Sequence, residues 1–420
     1  MAESLGQPSS KSQEQEIYER DTSLYKGYLV DCEFERLQRK YHWETADLAH
    51  QTDIEHALSS LAIDRVKAQE GFANHLQFIL LPQLLGQICS LSIVLELPSL
   101  LDEPESNLNL VLKLQKDLDC SLNQIQCVIA ALCPKATFLP KRADDHHLKG
   151  FKSYRLNRVK MSLPMLAWDM CDIFESANEL IQKTELSSVP SLAGCDADSL
   201  QRRFFGCIVR AGKAIQRMTA RFKLSDLAIA QDLWETARGS IENDLQFVIR
   251  TLNRPSYSTT VENQSQQAAE FGVIIQLTKL MLPILKLSRM FLDKLSNRGL
   301  ANERLPMFAE ICSDQIDTLA NSAGDVARDL RCLVQKLCFA DGPAEGVTSD
   351  DLTSLAKSLK SRFESPLLLV LMYFVPLIPD PDGLNVPQKH YTRWCATWNN
   401  MMAPATHNFT RVAESFVGIP

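Results

Sequence analysis

From Thr52 to Phe416, apolar residues recur every three or four positions in one segment after another, and prolines or short polar loops separate the segments. That spacing gathers apolar side chains on one face of a helix, and such a face has to be buried against another. The first strong segment carries Leu58, Leu61, Ile63, Val66, Phe72, Leu76, Ile79 and Leu80. Thr52 and Asp53, with Glu55 nearby, offer capping groups for its start. The spacing resumes at Leu84, Leu85, Ile88 and Leu91, so Pro82 is predicted to kink this segment and Pro98 to end it. A second helix is predicted from Glu105 to Leu132, with Leu108, Val111, Leu112, Leu114, Leu118, Leu122, Ile125 and Ile129 in its stripe. A third runs from Asp144 to Thr184, with Pro164 in its middle.

The second half repeats this design. Helices are predicted over Asp198–Phe222, Ser225–Leu252, Val261–Asn297, Arg304–Phe339, from Thr348 onward, and over Gln388–Phe416. Thr348, followed by Asp350 and Asp351, has the makings of a helix start. Alternating Val/Ile/Thr runs are absent, and 16 glycines in 420 residues are few for sheets, which need frequent turns. The expected fold is all-α, two antiparallel helical bundles of long helices with short connections. LSSVPSLAG, from Leu186 to Gly194, reads as the linker. The expected division is a polar N-terminal tail over 1–50, one bundle over 51–190 and a second over 191–420. A polar helix from about Gln13 to Ala49 is expected in the tail, with Tyr18, Tyr25, Leu29, Cys32 and Phe34 as docking residues.

Several function classes are disfavoured. The net charge of -7 argues against a nucleic-acid partner, whose binding depends on neutralising phosphates. The N-terminus, MAESLGQPSSKSQEQE, lacks the apolar core of a signal peptide, which points to a cytoplasmic or nuclear protein. Twelve cysteines are then expected to be reduced. A transmembrane segment is not expected. Pro366–Pro379 is too short, and Leu76–Leu97 is interrupted by Gln77, Gln83, Gln87, Ser90, Ser92 and Glu96.

No residue set converges on chemistry. Asp144, Asp145, His146 and His147 are adjacent, so on one helical turn they point apart and cannot share a metal. Asp144 suits an N-cap and Asp145 the positive end of a helix. Cys120, Cys127 and Cys133 read as small buried hydrophobes. Cys207, with Arg203 and Arg210 near it in sequence, is the only candidate for a reactive thiol. Nucleotide-binding glycine loops and nucleophile elbows are missing. Neither catalytic residues nor a cofactor or metal is expected, and the chain is not expected to be an enzyme.

The most distinctive pattern is a basic arc. Arg203, Arg210, Lys213, Arg217 and Arg221 fall within about 80° of a helical wheel. Phe204, Ile208, Ala211, Ile215, Met218 and Phe222 occupy a separate arc. The basic arc is either a solvated face paired with acidic neighbours or an anion-binding face for a partner, phosphate or lipid. A second basic stretch follows Arg142, Lys149, Lys152, Arg155, Arg158 and Lys160. Tyr391, Trp394, Trp398, Met402, Ala405, Phe409 and Phe416 form an aromatic-rich stripe expected to pack in the core.

KGFKSYRLNRVK (Lys149–Lys160), WDMCDIFESANELI (Trp168–Ile181) and YTRWCATWNNMMAPATHNFTRVAESF (Tyr391–Phe416) resemble segments of a family of uncharacterised helical-bundle proteins from rust-type fungi. The resemblance implies a fold and no activity. More distantly, ICSDQIDTL (Ile311–Leu319), followed by Asp325–Leu333, resembles a late acidic segment of the Grap2 and cyclin-D-interacting protein family. That likeness implies a two-bundle helical protein that binds helix-containing regulators. The expected function is a non-enzymatic protein-interaction or scaffold bundle whose partner is another protein. The alternative is an anion-binding bundle that uses the basic arc on an anionic membrane surface.

Overall fold

A computed structural model describes residues 10–42, 65–133, 144–187, 196–253, 267–296, 300, 305–338, 348–380, 383 and 386–416; the side chains of 10–20, 65–67 and 267–271 lie outside that description. Among the described residues the regular structure is helical throughout. The chain divides into two compact units, one drawn from Met1–Phe138 and Leu156–Lys223, the other from Leu139–Arg155 and Leu224–Pro420. The expected boundary at residue 190 therefore moves to residue 223.

In the first unit the helices are α1 (Ser10–Tyr41), α2 (Arg65–His75), α3 (Leu81–Val94), α4 (Leu97–Asp102), α5 (Pro104–Leu132), α6 (Ser153–Lys160, most of it in this unit), α7 (Leu163–Lys183) and α8 (Ala197–Arg221). Five of them close a ring: α1 packs on α5, α5 on α3, α3 on α8, α8 on α7, and α7 on α1. Such a ring lets every helix bury one stripe and keep one outward face.

Residues 10–42 are thus no tail. Val30, Phe34, Leu37 and Tyr41 recur at helical spacing and are buried, while Tyr25, Leu29 and Cys32 face outward. Of the expected docking residues only Phe34 docks, and the Tyr18 side chain lies outside the described residues. Polar contacts fix the register of α1. Asp119 on α5 accepts from Arg36 at 2.8 Å, Lys40 at 2.6 Å and the Tyr41 hydroxyl at 2.6 Å. Although burial pushes its carboxyl up, those three donors together hold Asp119 below its ordinary pKa. Gln115 donates to the Val30 carbonyl at 2.9 Å. Gly27 sits where a β-carbon would collide with the Leu186 carbonyl oxygen, so only glycine allows this approach.

The second unit holds α9 (Asp226–Gln231), α10 (Trp234–Leu252), α11 (Gln267–Leu295), α12 (Ser313–Cys338), α13 (Ser349–Leu369) and α14 (Val386–Glu414). It closes a second ring, α10 on α12, α12 on α13, α13 on α14, α14 on α11, and α11 on α10. Thr348 and Asp351 form a capping box at the start of α13, as the sequence suggests. The Trp398 indole donates to the Leu287 carbonyl at 2.9 Å and lies 4.7 Å from the Phe291 ring centroid and 4.9 Å from that of Phe363. Tyr391, Met402, Phe409 and Phe416 are also buried, so the aromatic-rich stripe is mostly core. Each such side chain contributes roughly 1.5–3 kcal/mol by burial.

In each unit one proline follows a widened turn, whereas Pro283, Pro366 and Pro404 lie inside α-helices. A π-helical turn covers Leu76–Leu80, closed by the Leu81 amide donating to the Leu76 carbonyl, and Pro82 follows. A second covers Val370–Phe374, closed by the Val375 amide donating to the Val370 carbonyl, and Pro376 follows. A proline ring collides with the carbonyl four residues earlier in an α-helix; widening the preceding turn relieves that. Phe78 and Met372 lie in these turns and are largely exposed.

The predicted Asp144–Thr184 helix is broken. It becomes a 3-10 turn (His146–Phe151), α6 and α7, and Lys149 adopts a left-handed φ of 52°. Buried polar contacts override helix propensity here. Lys152 donates to Asp226 at 2.7 Å and to the Ala309 carbonyl at 2.8 Å. Arg155 donates to Asp226 at 3.1 Å and to the Leu224 carbonyl at 2.8 Å. Asp145 accepts from the Ser153 amide at 2.8 Å and from the Ser313 amide at 2.8 Å and hydroxyl at 2.6 Å. This knot pins 144–155 to the start of α9 and of α12 inside the second unit. Asp145 is therefore a wholly buried acceptor at the N-termini of α6 and α12, the positive helix ends that suit a carboxylate.

Candidate interaction surface

The first unit exposes a helix face without charge. Between Glu70 and Glu96 the sequence contains no Asp, Glu, Lys or Arg. Leu76, Leu80, Leu84, Ile88 and Leu91 turn inward and are fully buried. The outward side carries Ile79, Pro82, Gly86, Cys89 and Ile93, with Phe78 beside them; the uncharged polar Gln83 and Ser90, and His75 at the start, are exposed as well. Phe78 is 61% exposed, Ile79 52% and Ile93 66%. Outward faces of water-facing helices are ordinarily polar, whereas this one carries several exposed apolar side chains. The stretch Ala68–Val94 is also the one candidate, among the described residues, long and apolar enough to cross a membrane by length and composition, and about a third of its most apolar window is buried. Its inward stripe serves the bundle core.

The neighbour of this face in the ring is the basic helix. Gly212 of α8 lies against Leu85 of α3, where a β-carbon would sit 3.5 Å from the Leu85 side chain. Asp196 caps α8 by accepting from the Ser199 amide at 2.9 Å. Phe204, Ile208, Ala211, Ile215 and Met218 are buried as the wheel implies.

The five basic residues of the arc do not act as one surface. Arg203 donates to Glu179 at 2.8 Å and lies 3.8 Å from Glu175. Arg210 pairs with Asp169 at 2.6 Å and also with Asp172. Arg221 donates to the Arg158 carbonyl at 3.0 Å and to the Ser162 hydroxyl. One edge of the arc is thus stitched to α7. Lys213 and Arg217 form the other edge; they are exposed and make no ion pair among the described residues. Lys223, just past α8, places its ammonium 6.0 Å from the Phe78 ring centroid. From Ser199 to Ser225 the chain has no acidic residue and seven basic ones. Sequence reading found the arc but missed the uncharged face beside it. The signal was a charge-free stretch between two glutamates, visible only once outward and inward positions are separated.

Other expected features find their places. The second basic stretch is divided: Lys152 and Arg155 are buried on Asp226, Lys149 is exposed, and Arg142 lies outside the described residues. Burial pulls the Arg155 guanidinium below its ordinary pKa, with Asp226 opposing that. Cys120 and Cys127 are exposed thiols rather than core, whereas Cys133 is buried. Cys207 is buried, with the Arg210 guanidinium 3.6 Å from its sulfur. The His146 and His147 rings meet edge to face at 5.5 Å. No group of three or more His, Cys, Asp or Glu that could hold a metal occurs among the described residues. An open cleft of about 410 Å³ between α10 and α12 is lined by Asp244, Phe247, Arg250 and Arg331, with Arg331 already paired to Asp244 at 3.1 Å.

No curated protein and no solved structure matches the chain. The segment 144–155 falls inside the first of two family matches yet packs in the second unit. Residues 69–223 match the model of a family described as a domain of unknown function (DUF8723), and residues 225–411 match a second domain of unknown function (DUF8721), so the two matches meet at the boundary between the structural units.

Proposed function

We propose that this protein is a non-enzymatic interaction or scaffold protein that works by docking through the outward face of α3 and the π turn before it. The observation that carries this reading is the exposed, charge-free run of Phe78, Ile79, Pro82, Cys89 and Ile93. A folded bundle gains nothing from leaving such side chains in water; a partner that covers them gains roughly 25 cal/mol for each Å² of apolar surface removed. The rest of the unit supports the reading. Its ring is closed by buried stripes and by side-chain pairs such as Asp119 with Arg36, Lys40 and Tyr41, giving the face a rigid frame.

Cys89 makes the reading testable, because it is an exposed thiol on the face. Cys32, on α1, is exposed on a helix that does not border α3 in the ring. Both are expected to react alike with a water-soluble maleimide in the purified full chain. In living cells Cys89 is expected to react at least fivefold more slowly, and Cys32 at an unchanged rate. Equal labelling of Cys89 in the two settings would remove the reading.

A further inference from the structure

We infer that the occupant of this face is an anionic lipid bilayer, with the outward residues of α3 dipping into the interface and the free cations of α8 meeting the headgroup phosphates. The inference rests on the interaction reading above and names its partner. Three observations carry it.

First, the face has the apolar content that interfacial insertion needs. Phe78, Ile79 and Ile93 are each more than half exposed, and no charge interrupts the helix between Glu70 and Glu96. A helix lying in the plane of the interface buries one apolar face among the acyl chains and keeps its other side on the protein.

Second, exposed cations stand on the helix that packs against this one. α8 is the ring neighbour of α3 and has no acid after Asp198. Its Lys213 and Arg217 are exposed and make no ion pair among the described residues, and Lys223 stands over Phe78. Lys and Arg beside an inserted apolar stripe supply the attraction to anionic headgroups. On the far side of α3, α5 adds exposed Lys113 and Lys116; the half-buried Asp117 lies next to them in sequence.

Third, the charge pattern disfavours a second copy. Symmetric pairing through this face would bring the cations of two α8 helices to one interface, with no acid on α3 or α8 other than Asp198 to offset them. The chain as a whole carries a charge of -7, so attraction to an anionic surface has to be local and act within a Debye length of about 10 Å at 0.1 M salt. Binding should then fall steeply as salt rises.

The test is co-sedimentation of the full chain with vesicles of phosphatidylcholine alone and with about one-third phosphatidylserine. The expected result is at least tenfold stronger partitioning onto the anionic vesicles at low salt. Ile79→Glu with Ile93→Glu should weaken that partitioning by tenfold or more, and so should Lys213→Glu with Arg217→Glu. The second pair changes only exposed, unpaired side chains, so it keeps the test decisive if the first pair misfolds. Bound anionic vesicles should also shield Cys89, but not Cys32, from a water-soluble maleimide. Partitioning that is absent, or equal on both vesicle types, overturns the proposal, as does partitioning that survives both double substitutions. If Cys89 is shielded in cells but not by vesicles, the lipid is the wrong occupant and the interaction reading stands. Concentration-dependent dimerisation that shields Cys89 without lipid overturns the lipid in favour of a second copy and likewise leaves the interaction reading standing. If Cys89 is open in cells as well, both fall.

Discussion

The Lys152 ammonium lies 2.7 Å from the Asp226 carboxylate, and both side chains are essentially removed from solvent. Arg155 shares the same carboxylate at 3.1 Å, and the Ala309 amide adds a third donor at 2.9 Å. Removing the acid would strand two cations in the interior. Asp226→Ala is expected to cost about 3–5 kcal/mol, because an uncompensated buried charge is far worse than a lost surface pair. Urea unfolding of the full chain measures it. Arg328→Ala, which breaks an exposed pair with Asp325, should cost under about 1 kcal/mol. Similar costs for the two would mean that the knot does not act as a pin.

Two glycines should respond oppositely to alanine. At Gly27 a methyl group meets the Leu186 carbonyl, so Gly27→Ala should loosen α1 from its ring and lower stability by more than about 2 kcal/mol. Gly239 is an exposed interior position of α10 with nothing within 4 Å of its would-be β-carbon. There alanine should add about 0.5–1 kcal/mol through helix propensity. Thermal unfolding of both variants separates a packing constraint from a backbone preference.

Asp31 gives the docking of α1 a pH dependence. Burial raises its carboxyl pKa from the ordinary 3.8 to about 6, with the Ser187 hydroxyl opposing that shift and Glu35 adding to it. The folded state therefore holds the proton more tightly than the unfolded chain. Its contribution to stability is full below about pH 4 and is lost as pH rises through 6. Asp31→Asn should remove that slope and add about 1–3 kcal/mol at pH 7. Denaturant midpoints at pH 4.5 and 7, for the wild type and the variant, check the sign. A wild-type midpoint that rises over this interval more than that of the variant would contradict it.

The thiols should split into two classes. Burial pushes Cys133 up to about 12, and Cys171 and Cys338 up to about 11, so little thiolate exists at neutral pH. Cys89, Cys120 and Cys127 are exposed. Peptide-resolved maleimide labelling at pH 7.5 should modify the exposed set within minutes and the buried set on the order of a hundredfold more slowly. Fast labelling of Cys133 would mean that the packing around it opens far more often than a closed ring allows.

The sequence by itself determined the helices. Apolar spacing located the stripes that bury Leu118, Ile125, Phe204 and Ile215, Pro82 marked a change in its helix, and Thr348 marked a start. Periodicity works there because it is a local property of one helix. Only the tertiary structure decided which helices share a core. It moved Ser10–Tyr41 from a tail into a ring, because Val30, Phe34 and Leu37 find partners that are distant along the chain. It buried Lys152 beside Asp226, which no wheel could indicate, since a lysine reads as solvated until a counter-ion 74 residues away is brought to it. It also split the basic arc, pairing Arg203 and Arg210 with the acids of α7 and leaving Lys213 and Arg217 exposed without an ion pair among the described residues. A wheel gives each side chain a direction; only packing gives it a neighbour, and whether a charge is spent or free depends on the neighbour.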